Sequence, residues 1–195
     1  LVRLMGDSNL SILIISENSI NKILADMLAD RKIEILLENK LTEDLSGLIL
    51  LTNKLNDKNE KIIHEIFKKN IPILGIKNGF EGLNIFFGGK KSQNIKKVDL
   101  SPQLFLSPGS KLSHIIGGSG WVKSDLDPTS NIFQKELSET FFASIISEEG
   151  EIIGFEKPGE HWVFGINFDP TDSNLPKGFD NLMTVFLDKC LESNT

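Results

Sequence analysis

The stretch of this chain best suited to chemistry is Gly75-Ile76-Lys77-Asn78-Gly79. A short apolar run, Ile71 to Leu74, leads into it, and an apolar-periodic segment through Leu83 leaves it. Strand, sharp turn and helix make up the layout of a nucleophile elbow, whose apex residue projects its side chain over the start of the helix. Gly75 and Gly79 suit such a turn because they let the backbone pass where a side chain would clash. An elbow built for covalent catalysis carries Ser or Cys at its apex, and here the apex is Lys77. A lysine amine is protonated at neutral pH unless burial lowers its pKa, so by default it is a cation and no nucleophile.

Other reactive side chains are scattered. His64 falls on a surface helix, His114 on a short helix and His161 at a strand entrance, and each reads as a surface or edge histidine. Asp125 and Asp127 lie two apart on a polar loop beside Ser124 and Thr129, where solvation is the simple reading and a weak divalent-cation site the alternative. Cys190 is the only cysteine, which excludes a disulfide framework and a cysteine-rich metal site. It sits between Leu187 and Leu191 on an apolar helix face and reads as packing. Trp121 and Trp162 are expected in the core or on a pocket wall. Neither a metal nor an organic cofactor is called for.

The elements that must position these groups follow from hydrophobic periodicity. Leu10 to Ile15, Ile33 to Leu37, Leu48 to Leu51 and Ile71 to Leu74 read as short buried strands. Between them lie a helix capped by Asn18 or Ser19, with Ile20, Ile23, Leu24, Met27 and Leu28 on one face, and a helix capped by Asp57. Such alternation implies βαβ units and a sheet covered on both faces. Further strands are read at 104–106, 121–123, 141–147, 152–156 and 162–168, with a hairpin turn at Glu149-Gly150. A short helix spans 110–116, and a closing helix spans 177–191. The whole is expected to be a single domain over 1–195, with residues 1–9 either flexible or upstream sequence.

At 195 residues, 39% hydrophobic and 25% charged, the composition is that of an ordinary globular domain. A net charge of −6 without a clustered basic face argues against nucleic acid as a partner. No apolar run approaches the ~18 residues of a membrane span. With no signal peptide recognised, a cytoplasmic location is expected.

The elbow resembles that of the class I glutamine amidotransferase superfamily, most closely its gamma-glutamyl-gamma-aminobutyrate hydrolase and gamma-glutamyl peptidase branch. Pro72 to Gly79, Leu83-Asn84 and Gly88-Gly89 match the branch's elbow, in which Cys stands where Lys77 stands. Pro108-Gly109-Ser110-Lys111-Leu112, the hairpin from Gly150 to Glu156, and Gly165 to Pro170 match three further segments in order. The resemblance spans roughly residues 10–192. It implies a three-layer α/β fold, flavodoxin-like, with a mainly parallel central sheet and a small antiparallel portion in the second half.

Position by position, the resemblance implies lost chemistry. The nucleophile falls on Lys77, the general-base His on Asp169 and the acid that orients it on Thr171. The glycine loop that helps form the oxyanion hole falls on Leu51-Thr52-Asn53, and the Arg after the nucleophile on Asn78. The segment carrying two accessory histidines falls on 123–128, including Asp127. Amide hydrolysis of this kind needs a thiolate, a base within reach and donors aimed at the oxyanion. Three readings of Lys77 remain open: a side chain reaching solvent on a drifted site, an ammonium within ~4 Å of Asp169 or bridged to it by one water, or a Schiff-base amine. Two functions are weighed. One is a non-catalytic binding or regulatory subunit, with a small polar ligand or a synthetase-type partner and a homo-oligomer left open. The other is a hydrolase or amidotransferase with rebuilt chemistry in the same crevice.

Overall fold

The computed structural model describes residues 10–37, 44–92, 103–126 and 132–192. Asp127, Thr129 and residues 1–9 lie outside them. In chain order the strands are β1 (Ser11–Ile15), β2 (Glu34–Leu36), β3 (Leu45–Leu50), β4 (Ile73–Ile76), β5 (Gln103–Leu106), β6 (Gly120–Lys123), β7 (Phe142–Ser147), β8 (Ile152–Glu156) and β9 (Val163–Ile166). The helices are α1 (Lys22–Asp30), α2 (Asp57–Lys68), α3 (Asn78–Phe86), α4 (Lys111–Ile116) and α5 (Asn181–Glu192).

The nine strands form one sheet in the order β2-β1-β3-β4-β9-β8-β7-β5-β6. Neighbours are parallel from β2 through β9 and antiparallel from β9 to β6. Alternation along each strand sends its side chains to two cores. Ile12, Ile14, Ile49, Leu74 and Ile76 pack with Leu24 and Leu28 of α1, Leu112 of α4 and Phe186 of α5. Leu13, Ile15, Leu48, Leu50 and Ile73 pack with Ile62, Ile63 and Ile66 of α2 and Phe80 and Leu83 of α3. This is the expected α/β fold with helices on both faces. Its antiparallel portion is larger than foreseen, because β8, β7, β5 and β6 all lie beyond β9.

Local details differ from the sequence reading. The cap of α1 is Asn21, whose Oδ1 accepts from the Ile23 amide at 3.0 Å, so Ser16 to Ser19 are free to line the sheet edge. Asn56 rather than Asp57 caps α2, accepting from the Asn59 amide at 2.9 Å. The closing helix starts at Asn181, after turns at 176–181 in which Gly178 takes φ +91 against the Ile116 carbonyl. Trp121 is not a core residue: it is 58% exposed on the edge strand and tilts against Phe105. Trp162 is half-buried against Phe164 and Phe186. Cys190 is fully buried against Gly47, where any side chain would meet its Sγ, and burial pushes its thiol pKa up.

Several of the motif-matching residues serve as struts. Glu156 is buried and accepts from the Lys111 and Leu112 amides at 2.8 and 2.9 Å and from Ser144 Oγ at 2.8 Å. The Lys111 ammonium donates to the carbonyls of Lys157, Gly159 and His161, tying α4 to the loop between β8 and β9. Burial lowers the Lys111 pKa, and the nearby Glu156 carboxylate works the other way. Lys111→Met is expected to cost about 1–3 kcal/mol in urea unfolding, since it leaves those carbonyls without their donor. Asn84 is wholly buried. It donates to the carbonyls of Lys90 and Glu136 and accepts from the Ser138 amide, so it pins two loops to α3.

Glu151 carries a pH dependence. Burial, with help from the Glu149 charge, raises its pKa from 4.5 to about 7, and among the described residues its buried Oε1 has no partner. In the unfolded chain it ionises near the ordinary value, so its ionisation favours the unfolded state over the window from 4.5 to about 7. Stability is therefore lost as pH rises through that window and is level above it. Glu151→Gln should raise stability relative to the parent at pH 8 by on the order of 1 kcal/mol, and by much less at pH 4. Paired denaturant titrations at the two pH values check this.

Candidate functional site

The carboxyl ends of β1, β3, β4 and β9 share one edge of the sheet, with β1 sending the chain first to β2 and then across to β3. Open α/β sheets bind ligands outside this edge, where the direction of winding reverses. Four short segments meet there: Ser16 to Asn21 after β1, Leu51 to Asn53 after β3, Lys77-Asn78 after β4 and Asp169 to Thr171 after β9. All four contribute to a pocket of about 190 Å³, the second through Leu51 alone.

Lys77 holds the apex of a true elbow. Its backbone is at φ 51 and ψ −110, a sparsely populated region for a residue with a Cβ. The Lys77 amide extends the β4–β9 ladder by donating to the Ile166 carbonyl at 2.8 Å, and its carbonyl accepts from the Phe80 amide at 3.0 Å to start α3. The glycines act by close packing, since neither has positive φ. A Cβ on Gly79 would run into the Leu50 carbonyl, and one on Gly75 would meet the Gly79 backbone. The turn is thus set by β3, β4 and α3, whatever the apex side chain is.

Lys77 and Asp169 line the same pocket, but they do not form the direct ion pair weighed from the sequence. The Asp169 carboxylate is held elsewhere. Asn21 Nδ2 donates to Oδ2 at 3.1 Å, while the Thr171 amide and Oγ1 donate to Oδ1 at 2.9 and 2.7 Å. Three donors satisfy the carboxylate without the lysine. The relation expected of an orienting acid is reversed, because Thr171 donates to the residue beside it. Lys77 is half-buried and, among the described residues, its ammonium makes no hydrogen bond or ion pair. Asn78 is exposed on the rim.

The loop after β3 is clamped from below. Asn53 Nδ2 donates to Oε2 of the buried Glu81, whose Oε1 accepts from the Ser92 amide at 2.7 Å. Thr52 Oγ1 accepts from the Lys54 amide at 3.0 Å, and the Thr52 carbonyl leaves no room for a side chain on Gly82. Neither Thr52 nor Asn53 lines the pocket around Lys77. The sequence reading missed Ser16, Asn18, Ser19, Asn21 and Glu81. A polar cluster directly after the first strand was the available sign for four of them. Glu81 was hidden because a helical Glu ordinarily faces water. No group of three or more His, Cys, Asp or Glu side chains among the described residues is placed to hold a metal ion, and no described helix is long and apolar enough to cross a membrane.

A doubly wound half-sheet, an elbow at the end of β4 and an antiparallel extension beyond β9 make up the fold. The chain matches the family model of Peptidase C26 over residues 54–170, more than half its length, and belongs to that family. No curated protein matches it. Among solved structures it is similar to a putative GMP synthase subunit from Thermoplasma acidophilum. The TM-score is 0.68 at 17% identity, over 94% of this chain and 95% of that one. It is also similar to a glutamine amidotransferase from Thermotoga maritima, with a TM-score of 0.59 at 15% identity, over 94% of this chain and 85% of that one. At such identities the likeness is one of fold.

Proposed function

We propose that this chain is a non-catalytic member of its family, acting as a binding or regulatory subunit. The observation that carries this reading is the elbow itself. Its strained backbone persists around an unpaired Lys77, while the Asp169 carboxylate is committed to Asn21 and Thr171. An ammonium at the apex has no lone pair to attack a carbonyl. Both oxygens of the Asp169 carboxylate are engaged by Asn21 and Thr171, so it is not directed at the apex. Of the hydroxyls lining the Lys77 pocket, Thr171 is the one bonded to a carboxylate among the described residues, that of Asp169, and rebuilt hydrolysis in the same crevice would have to start from that pair without a histidine.

Lys77 and Asp169 instead suit a small polar ligand, each charge facing the pocket from a different strand end. A synthetase-type protein partner is the second element of the proposal. It draws support from the name of one similar structure, that of a GMP synthase subunit. The test is an ammonia-release assay with glutamine and with a gamma-glutamyl amide. No turnover above buffer is expected, and Lys77→Cys alone should not restore any, because base, orienter and glycine loop are also replaced. Steady turnover that disappears in Lys77→Ala would overturn the reading.

A further inference from the structure

The sheet ends at β6, and the backbone there has a defined open side. The Ser107 amide, just past β5, donates to the Ser144 carbonyl of β7 at 2.9 Å. Along an antiparallel strand, successive residues turn their N–H and C=O groups to opposite sides. Leu104 and Leu106 therefore face β6, where they pair with Val122 and Gly120. Trp121 and Lys123 turn their N–H and C=O groups away from β5, and no backbone bond reaches that side among the described residues. Gly120, at φ +92, breaks the extended backbone just before Trp121.

The side chains of Trp121 and Lys123 share one face of the sheet. Trp121 lies opposite Phe105, and Phe105 opposite Ile146, so an apolar row runs from the core under α2 and α3 out to the edge. It ends on the exposed Trp121, with the exposed Lys123 beside it. Such an edge is completed by another strand. Among the two-fold pairings of β6 with itself, only one uses both outward residues of each copy. Centring on Val122 sets Trp121 opposite the partner's Lys123, and Lys123 opposite the partner's Trp121, each pair exchanging both backbone hydrogen bonds. The same register lays each ammonium against an indole. Centring on Lys123 would oppose like charges. Centring on Trp121 would set Lys123 opposite Ser119, beyond the break at Gly120.

We propose that β6 is the surface through which two copies of this chain associate, joining their nine-stranded sheets edge to edge about a two-fold axis at Val122. The main chain supplies the contact, and the reciprocal Trp121 and Lys123 pairs fix its register. Four strand residues a side make an interface well below the ~800 Å² per partner of a standard one, so the dimer is weak and half-formed on the order of 100 µM.

The test is sedimentation velocity on the full chain from about 5 to about 500 µM, with NMR over the same range. The mass is expected to rise from monomer toward dimer and stop there, while the Trp121 indole and Lys123 amide signals shift. Lys123→Pro removes an outward donor and leaves the β5 ladder whole, a change that edge strands tolerate. It should weaken association at least about tenfold with far-UV circular dichroism unchanged. Trp121→Ala should weaken it about as much, and decides the matter should the proline variant fail to fold. A chain monomeric at the highest concentration would overturn the proposal and leave the edge to a strand of another protein. A dimer that Trp121→Ala leaves intact, or a mass that grows past the dimer as β6 pairs with the β2 edge of the next copy, would overturn it as well.

Discussion

Gly79→Ala is expected to prevent folding or to cost upward of about 4 kcal/mol. The position has ordinary φ, so conformational freedom is not the reason. The added methyl would occupy the place of the carbonyl of Leu50, the last residue of β3 to pair with β4. Relief would require α3 to move away from β3. That would empty the packing of Phe80 and Leu83, both fully buried against Leu50 and Ile63. Solubility, far-UV circular dichroism and a denaturant titration decide it. A soluble variant within about 1 kcal/mol of the parent would show that α3 is not held against the sheet as described.

Lys77→Gly should act in the opposite direction, stabilising the fold by about 1 kcal/mol. The φ 51, ψ −110 backbone costs a residue with a Cβ on the order of 1–3 kcal/mol, and glycine escapes most of that. Part is returned through the greater freedom of glycine in the unfolded chain, roughly 0.4–1 kcal/mol. Lys77→Ala keeps the Cβ and should leave stability nearly unchanged. A gain for glycine without a gain for alanine identifies the backbone as the source. Equal effects of both would place it in the lysine side chain.

How much of this was legible in the sequence depends on distance along the chain. The strands of the parallel half were readable because each is a short apolar run, and the elbow because apolar strand, paired glycines and periodic helix occur within about fifteen residues. The later start of α5 was obscured by Phe179, whose apolar character continues the helical period although Gly178 places it in a turn. The site proper was less readable. Asn21 and Asp169 are 148 residues apart, and nothing in either local sequence announces their hydrogen bond. Opposite charges at neighbouring strand ends suggested that Lys77 and Asp169 would pair. A direct pair does not form because short-range donors, Thr171 above all, reach the carboxylate first. Such competition is local at one end and tertiary at the other, and only coordinates resolve it.

The central claim is that an intact elbow here presents no nucleophile. It is tested most directly by a single-turnover experiment, with protein in excess over an activated gamma-glutamyl anilide, read by release of the aniline and by the intact mass of the protein. The account predicts neither release above buffer nor a gamma-glutamyl adduct, and no difference between the parent and Lys77→Ala. A burst of the aniline with a gamma-glutamyl adduct mapped to Lys77, lost in Lys77→Ala, would contradict it.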